Sequence, residues 1–290
     1  MTLALIVNPR AAGGRTLRTL DGVQAALTAY GLDHHVEQTR DLDHARELGR
    51  AAHDAGETAV AFGGDGLIAA VADALRGTDG VVGVLPGGRG NDFARVLGIP
   101  LEPRKACQVL ATGVVRSLDM GQAGEATFVG IASCGFDSDA NRIANESRHV
   151  HGSIVYAYAA VRALVGWRPA TFAITLDGED QRTVTGYSVA AANSKAYGGG
   201  MYLAPDASLD DGLLDVLTIG HLSKPRFLRL LPSVFKGRHL RQREVTAVKA
   251  REVEISADRP FILYADGDPI AELPVTVRAL PAAVRVIVPR

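Results

Sequence analysis

The chain has 290 residues, of which 47% are hydrophobic and 22% charged, and its formal net charge is −1. This length suits one large domain or two, with a substantial core. Near-neutral charge argues against a dedicated nucleic-acid-binding protein, which usually carries a broad basic surface, so no nucleic-acid partner is expected. No apolar run approaches the roughly 20 residues that a membrane-spanning helix requires.

The first 120 residues alternate short apolar runs with amphipathic stretches. Strands are predicted at Leu3–Val7, Asp33–Gln38, Thr58–Phe62 and Val81–Leu85. Helices are predicted between them at Leu17–Tyr30, Asp43–Ala55 and Leu67–Leu75. This order predicts an α/β domain with a parallel sheet and helices on both faces, whose ligands bind beyond the carboxyl ends of the strands.

After about Arg116 the pattern changes to closely spaced strand candidates. Strands are predicted at Phe128–Cys134, Thr171–Leu176, Val184–Ala192, Leu213–Ile219, Val245–Ser256, Phe261–Tyr264 and Ala283–Val288. Helices are predicted at Asp139–Asn145, Ser153–Val165 and Lys224–Lys236. We therefore predict an α/β domain over 1–120 and a mainly antiparallel β-sandwich over 121–290, with the extreme carboxyl terminus able to pack back on the first domain.

The cysteines and the amino terminus indicate the compartment. Cys107 and Cys134 lie in apolar stretches without metal-type spacing, which predicts two buried, reduced thiols. A strand-like pattern starts directly after Met1, so no signal peptide is expected. These features predict a cytoplasmic protein. They leave open whether it also attaches peripherally to the inner face of the cell membrane and whether it forms a homodimer.

A glycine-rich turn, Gly63-Gly64-Asp65-Gly66, follows the third predicted strand and opens a helix. Glycines let backbone N–H groups approach phosphates closely, and a helix N-terminus favours negative charge. The carboxylate suits Mg²⁺, which is bound by one or two carboxylates together with substrate oxygens. The turn therefore predicts a corner that holds phosphates and a metal ion.

Two further loops follow predicted strands. Asn8–Arg15 follows the first strand, and an ordinary turn between strand and helix explains it equally well. Pro86–Asp92 follows the fourth strand and combines glycines, an arginine and an Asn-Asp pair at the start of a helix predicted over Phe93–Leu97. These residues can contact phosphates, cap the helix, or do both.

Together the motifs resemble the soluble diacylglycerol kinases and their sphingosine and ceramide kinase relatives. In the first half the matching segments are Asn8-Pro9, Gly13-Gly14, Gly63–Gly66 and Gly88–Arg95. From there on they are Asp119, Gly135–Asp137, Gly198–Gly200, Ala204–Ala207, Asp211–Asp215, Gly237–His239 and Asp266–Asp268. Because the matches run in order along nearly the whole chain, it is identified as a member of this lipid kinase family.

The resemblance implies an ATP- and Mg²⁺-dependent kinase that transfers the γ-phosphate to a lipid hydroxyl, with diacylglycerol as the first candidate and phosphatidic acid as the product. It implies that Asp268 is the catalytic base, that Asp65 holds the active-site Mg²⁺, and that Asp119 links the catalytic cleft to a structural Mg²⁺. The implied ligands of that structural ion are the Asp211 side chain and the backbone oxygens of Ser208 and Leu213. The implied nucleotide contacts are Asn8, Pro9, Arg10, Ala11, Ala12, Gly13, Thr39, Gly63, Gly64, Asp65, Gly66, Leu67, Gly88, Arg89, Gly90, Asn91 and Asp92.

The chain departs from the family pattern in three places. Family members commonly follow the first aspartate loop with threonine, asparagine and glutamate, whereas this chain continues as Leu67-Ile68-Ala69-Ala70. Arg89 stands where threonine is usual, and its guanidinium is expected to supply the phosphate contacts that the missing hydroxyls no longer make. Asp268 stands where glutamate is usual. Its reach is shorter by about 1.5 Å, so either the backbone compensates or the protein is a weak kinase.

A basic segment, Lys224–Arg251, carries nine lysines and arginines and a single acidic residue, Glu244. Apolar residues recur in it at helical spacing at Phe227, Leu230, Leu231, Val234 and Phe235. Pro232 is expected to kink a helix there. The segment can lie on an anionic membrane, or it can pack its apolar face on the β domain with its charges in solvent.

Two alternatives to a lipid kinase remain. An NAD kinase also uses a Gly-Gly-Asp-Gly loop, and Asn145-Glu146 resembles the Asn-Glu pair of that family, although the surrounding residues do not match. A catalytically impaired nucleotide-binding regulator is suggested by the loss of polar residues after Gly66 and by the shortened Asp268.

Overall fold

The computed structural model describes residues 2–147 and 154–290. The chain divides into two units, Met1–Asp119 with Ala282–Arg290 and Met120–Pro281. Residue 153, with which one predicted helix begins, lies outside the described residues. In the described part of the chain, none of the helices is both long enough and apolar enough to cross a bilayer.

The first unit is built on a parallel sheet with the strand order β4-β3-β1-β2. These strands are β1 (Thr2–Val7), β2 (Asp33–Gln38), β3 (Thr58–Gly63) and β4 (Val81–Pro86). β3 is buried along its whole length and β1 along nearly all of it, as expected for a parallel sheet covered on both faces. The end of the long strand β15 (Val275–Val288) lies parallel to β4, with Arg285 opposite Val81.

Helices cover this sheet. They are α1 (Arg15–Ala29), α2 (Leu42–Asp54), α3 (Asp65–Ala74), α4 (Asp92–Val96) and α5 (Pro103–Thr112). α1 packs against α5, and α2 packs against α3. Leu67, Ala69 and Ala70 of α3 are only 2%, 8% and 2% exposed. Their apolar character therefore matches their burial, because a polar side chain without a partner is costly at such positions.

The second unit is mainly antiparallel, as the sequence predicts. Its strands are β5 (Val114–Ala123), which begins in the first unit, β6 (Ala126–Phe128), β7 (Ile131–Gly135), β8 (Ala170–Leu176), β9 (Asp180–Ala192), β10 (Leu214–Gly220), β11 (Val245–Ala250), β12 (Glu252–Ala257), β13 (Ile262–Ala265) and β14 (Asp268–Glu272). Its helices are α6 (Phe136–Glu146), α7 (Ile154–Gly166) and α8 (Lys224–Val234). Within the unit the strand order is β14-β13-β7-β9-β8-β12, and β10 pairs with β9 and β11.

The long strand β9 pairs with different strands along its two halves. Its first half pairs with β8 as far as Gly186, and its second half lies between β7 and β10. A Cβ atom at Gly186 would lie 2.3 Å from the backbone oxygen of Ile219, so only glycine allows this close approach. The apolar core between the strands includes Phe128, Phe172 and Leu263.

Three predicted strands differ from the structure. The run Phe128–Cys134 falls partly in β6, which ends at Phe128, and partly in β7, which begins at Ile131. The run Val245–Ser256 forms β11 and β12, because Asp177 Oδ1 accepts the N–H groups of Arg251 at 2.9 Å and Glu252 at 3.0 Å and interrupts the strand. The predicted strand Ala283–Val288 is the last part of β15. The prediction of two buried, unpaired thiols is confirmed. Burial raises the pKa of Cys107 to about 11 and that of Cys134 to about 12.

Candidate active site

The loops that follow the parallel strands of the first unit lie at one edge of its sheet. From β1 the chain moves to β2 on one side, then returns through α2 to β3 on the other side of β1. The loops after β1 and β3 therefore flank a topological switch point, which is where open α/β sheets bind ligands. The predicted nucleotide loops, Asn8–Gly13 and Gly63–Gly66, are these two loops, and Gly88–Asp92 follows the adjoining β4.

The two glycine loops after β3 and β4 pack backbone against backbone. Gly87 N donates to Gly63 O at 2.7 Å, and a Cβ atom at Gly88 would lie only 2.4 Å from the Cα of Gly64. Asn91 has a left-handed conformation with φ of 51°. Its side chain accepts the Gly88 N–H at 2.7 Å and donates to Gly88 O at 3.1 Å. These contacts fix the geometry of the two loops relative to each other.

Asp65 bonds to the start of the neighbouring helix α4. Its carboxylate accepts the N–H of Asp92 at 3.1 Å and that of Phe93 at 3.0 Å. Burial raises the pKa of Asp65, and these backbone hydrogen bonds lower it in part. These hydrogen bonds hold the carboxylate against the start of α4, and its role as a Mg²⁺ ligand stays a prediction.

The loop after β1 forms a left-handed turn before α1. Ala12, Gly13 and Gly14 have φ values of 45°, 68° and 81°. Backbone N–H groups in turns of this kind form concave anion sites, and the N-terminus of the fifteen-residue α1 adds a favourable dipole. Asn8 holds the entry to the turn, because its Oδ1 accepts the Arg10 N–H at 2.9 Å. The N–H groups of Ala11, Gly13 and Gly14 already donate to carbonyl oxygens of the same loop, so the N-terminus of α1 is the part of this segment that suits a phosphate.

The remaining predicted nucleotide residues differ in which of their groups are available to a nucleotide. The buried Thr39 already donates its hydroxyl to Asp41 O at 2.5 Å. Leu67 is buried, and its side chain fills the space beside Gly63. Both can contact a nucleotide only through the backbone. Arg89 is exposed, and no described side chain pairs with its guanidinium, so it is available to a phosphate.

Asp119 has a structural contact within the first unit. Its buried carboxylate accepts the N–H of Ala282 at 2.7 Å, and Ala282 has a left-handed φ of 49°. Asp119 therefore holds a turn in the backbone of β15. Its implied link to a metal remains a prediction.

Asp268 begins β14 directly after a tight hairpin turn. Asp266 and Gly267 have φ values of 53° and 96°, the two positive values of a type I′ turn. Asp266 Oδ2 accepts the Val129 N–H at 2.8 Å, which anchors the turn. The carboxyl of Asp268 is reached by solvent, yet nearby protein desolvates it enough to raise its pKa. The hairpin thus fixes the backbone position from which the Asp268 carboxyl extends.

The predicted structural metal loop lies in the second unit. Asp211 Oδ1 accepts the Leu213 N–H at 3.1 Å, and its Oδ2 lies 2.5 Å from Lys249 Nζ. Ser208 Oγ donates to Asp210 Oδ1. A carboxylate with backbone carbonyls is the kind of oxygen set that Mg²⁺ accepts, so these residues fit the ion if Lys249 moves aside. In the described ranges, no group of three or more His, Cys, Asp or Glu side chains is placed to hold a metal ion.

An apolar cavity in the second unit is a feature that the sequence did not reveal. Its apolar lining consists of Phe136, Ala140, Ala160, Met201, Leu203, Ile219, Leu222, Phe227, Leu230, Leu231, Val234, Phe235 and Val245. Its polar lining includes Asp137, Asn141, Tyr197 and His239. Cavities with mostly apolar walls and a few polar groups are typical of ligand sites.

Asp137 is the most unusual residue of this cavity. It is only 7% exposed, and its Oδ2 has no hydrogen-bond partner in the described structure. Burial raises the pKa of Asp137 to about 6, an effect that hydroxyl groups of neighbouring side chains oppose only in part. The signal in the sequence was the motif Gly135-Phe136-Asp137, from which we assigned no role. A buried carboxyl with one oxygen that has no partner in the described structure, beside apolar walls, suits a ligand with a polar head and an apolar chain.

Known proteins resemble both halves of the chain. Residues 2–123 match the diacylglycerol kinase catalytic domain, and residues 130–288 match the YegS C-terminal NAD kinase beta sandwich-like domain. A diacylglycerol kinase of Mycobacterium tuberculosis is 35% identical over 293 residues, which cover 98% of this chain and 94% of that protein. A diacylglycerol kinase of Bacillus subtilis is 31% identical over 254 residues, covering 83% of each. A crystal structure of a diacylglycerol kinase from Bacillus anthracis has the same fold, with a TM-score of 0.77 and 21% identity over 99% of this chain and 96% of that one.

Proposed function

Because this chain belongs to the diacylglycerol kinase family, we propose that it transfers the γ-phosphate of ATP to a lipid hydroxyl, with diacylglycerol as the first candidate acceptor. The observation that supports a lipid is the apolar cavity of the second unit. Its walls suit an acyl chain, and the unpartnered oxygen of Asp137 can accept a hydrogen bond from the polar part of the substrate.

The glycine loops of the first unit are the proposed site of the ATP phosphates. Backbone N–H groups after β1, β3 and β4 hold them, and Arg89 supplies the positive charge. Phosphoryl transfer depends mainly on positioning and on electrostatic stabilisation of the transferred group. We expect the preformed loops and the Arg89 guanidinium to provide both in place of the missing threonine, asparagine and glutamate.

Mg²⁺, when bound, neutralises negative charge on the phosphates of the nucleotide. Asp65 is the proposed ligand in the first unit, and binding of the ion there would replace part of its backbone hydrogen bonding. Asp211, with the backbone oxygens of Ser208 and Leu213, is the proposed ligand set of a structural ion. We expect binding of that ion to release Lys249 from Asp211.

Asp268 is the proposed base that takes the proton of the substrate hydroxyl. A raised pKa makes a carboxylate a stronger proton acceptor, provided that the pH stays above it. The anchored hairpin restricts the position of the backbone at Asp268. The reach of its short side chain to the substrate hydroxyl therefore depends on this backbone position.

The two alternatives are less well supported. The match to a diacylglycerol kinase catalytic domain over 2–123 favours a lipid acceptor over NAD, although the second half carries a sandwich that is named for NAD kinase. The regulator hypothesis rested on the apolar residues after Gly66 and on the shortened Asp268. Leu67, Ala69 and Ala70 are buried in α3, which accounts for their apolar character, so Asp268 is the ground that is left.

Labelled ATP tests the proposal directly. Wild type and Asp268→Asn are incubated with diacylglycerol, sphingosine, a monoacylglycerol or NAD, with Mg²⁺ or with EDTA. We expect labelled phosphatidic acid from wild type with Mg²⁺, and far less from the variant or with EDTA. Label in NADP alone contradicts the proposal, as does stabilisation by ATP without any labelled product.

A further inference from the structure

His239 lines the same apolar cavity as Asp137 and is 3% exposed. Its Nε2 atom lies 2.8 Å from the backbone oxygen of Leu203. Because a carbonyl oxygen only accepts hydrogen bonds, Nε2 carries the ring proton. Burial lowers the pKa of His239, so the ring is neutral at pH 7. Its Nδ1 atom is therefore a hydrogen-bond acceptor, and it has no partner in the described structure.

The cavity thus contains two buried acceptor atoms without partners in the described structure, Asp137 Oδ2 and His239 Nδ1. The Asp137 carboxyl is ionised above its pKa of about 6, and an ionised carboxyl accepts hydrogen bonds without donating any. The described residues that line the cavity include no lysine or arginine that could pair with it. A buried acceptor without a partner costs free energy. Both atoms therefore suit a ligand group that donates hydrogen bonds.

The backbone holds both residues in fixed positions. Gly135, two residues before Asp137, has a φ of 95°, and a Cβ atom there would lie 2.4 Å from the backbone oxygen of Tyr187. Gly237, two residues before His239, has a φ of 62°. Glycine adopts both conformations far more readily than other residues do. The two acceptors are therefore placed before a ligand arrives, which lowers the entropic cost of binding.

These acceptors lie apart from Asp268, the proposed base. Asp268 is opposite Ala265 of β13, and Ala265 is opposite Ala132 of β7. Two strand spacings therefore place Asp268 about 10 Å from Ala132. From Ala132 the strand continues for about 10 Å to its end at Gly135, and Asp137 follows. A lipid hydroxyl that contacts Asp268 is therefore too far from Asp137 to bond to it, and the donor stands elsewhere in the lipid.

We infer that the cavity binds an acyl chain that carries a hydroxyl group partway along its length. Asp137 accepts the hydrogen bond of this hydroxyl, and His239 is the acceptor for a second one. The apolar walls enclose the chain on either side of these groups. An unsubstituted chain would leave both acceptors without a donor. This inference rests on the proposed function, because Asp268 marks where the phosphorylated hydroxyl lies.

Quenching of Trp167 fluorescence measures binding in this cavity. Trp167 is the only tryptophan of the chain, and its ring packs edge-on at 5.7 Å against that of Phe136, which lines the cavity. A monoacylglycerol with a brominated oleoyl chain quenches Trp167 when it is bound. Monoacylglycerols with a stearoyl, 10-hydroxystearoyl or 10-oxostearoyl chain then compete with it at pH 8, where Asp137 is ionised.

The hydroxylated chain should bind more tightly than the stearoyl chain, by roughly 10- to 100-fold for a hydrogen bond to a charged group. The sign of this difference is diagnostic, because a hydroxyl without a partner weakens binding in an apolar cavity. The oxo chain should bind more weakly than the stearoyl chain, since its oxygen only accepts hydrogen bonds. Equal or weaker binding of the hydroxylated chain, or no quenching by the brominated probe, would overturn the inference.

Asp137→Asn replaces an acceptor by an amide that also donates hydrogen bonds. This variant should lose most of the preference for the hydroxylated chain over the oxo chain. Asp139→Asn, a change on the same helix at a side chain that is 43% exposed, is the control and should keep the wild-type preference. Thermal unfolding checks that both variants are folded. A full preference in Asp137→Asn would contradict the role of Asp137.

Labelled ATP with dioleoylglycerol separates this inference from the proposed function. If wild type phosphorylates dioleoylglycerol but binds the stearoyl and hydroxystearoyl chains equally, the proposed function stands and the inference is wrong. If wild type prefers the hydroxystearoyl chain but phosphorylates no lipid, the hydroxylated chain stands as the ligand of the cavity and the proposed function is wrong.

Discussion

Asp65, Arg89 and Asp268 differ in how firmly the protein holds them. Asp65 accepts two backbone N–H groups, and Asp268 is placed by an anchored hairpin. Arg89 has no described partner at all. Substitution of Asp65 would therefore disturb the start of α4 as well as any metal site, whereas changes at the other two positions report more directly on chemistry.

Arg89→Ala should raise the KM for ATP. A hydrogen bond to a charged group contributes about 1.5–3 kcal/mol, which corresponds to roughly 10- to 100-fold. Steady-state kinetics with varied ATP measure the effect, and Arg50→Ala, an exposed position on α2, is the control. An unchanged KM would mean that backbone N–H groups alone hold the phosphates.

Asp268→Asn should lower kcat by about 100-fold or more, because a general base contributes roughly 10²–10⁴-fold to the rate. Asp268→Glu keeps the carboxylate and should stay within about tenfold of wild type. Glu272→Gln, an exposed change on the same strand β14, should be neutral. Full activity of the asparagine variant would assign the base to another residue.

At the scale of elements, the local apolar periodicity predicted most helices and strands. It did not predict which of them pair or where a distant residue interrupts a strand. The parallel strands of the first unit follow apolar runs that are visible in the sequence. The break between β11 and β12 depends on Asp177, more than seventy residues away in the chain, so periodicity could not show it. Helix α5 and the strands β5, β6 and β14 are not among the predicted elements. β6 and β14 are too short, at three and five residues, to show a clear period, whereas α5 buries Ala106, Cys107, Val109 and Leu110 at a helical spacing that the sequence does contain.

Gly88→Ala should separate the two glycine loops. Its new Cβ would lie 2.4 Å from the Cα of Gly64, which is backbone and cannot rotate away. We expect the rise in melting temperature that ATP causes in wild type to be lost or strongly reduced. Gly166→Ala is the control, because no atom lies within 4 Å of its added Cβ. A normal ATP response in Gly88→Ala would show that loop contact is not needed for binding.

At the scale of the whole molecule, the raised pKa of Asp137 in the cavity lowers the stability of the folded chain at neutral pH. A buried carboxyl without a full set of partners favours its protonated form. The folded chain therefore keeps a proton on Asp137 up to a pKa of about 6, whereas the unfolded chain releases it near pH 4. A site of this kind reduces stability at neutral pH, which is consistent with selection for binding rather than for packing.

The free energy of unfolding should therefore fall as pH rises between about 4 and 6, because the folded state binds more protons than the unfolded state in this window. Asp137→Asn should remove this component and be more stable than wild type at pH 7 by about 3 kcal/mol. Urea unfolding at a series of pH values measures it, with the partly exposed Asp139→Asn as the control. An unchanged pH profile in Asp137→Asn would show that this carboxyl is ionised at neutral pH without cost.

The sequence by itself determined the family, the four parallel strands of the first unit with the helices between them, the β-rich second half and the positions of the glycine loops. These features depend on local composition and on motifs that stand in order along the chain. Only the tertiary structure decided that Leu67 and Ala70 are buried, that Asp65 bonds to α4, that Asp137 lines an apolar cavity, and that α8 has one face toward that cavity and one toward solvent. The physical reason is that burial and hydrogen bonding depend on residues far apart in sequence, which no local pattern can report.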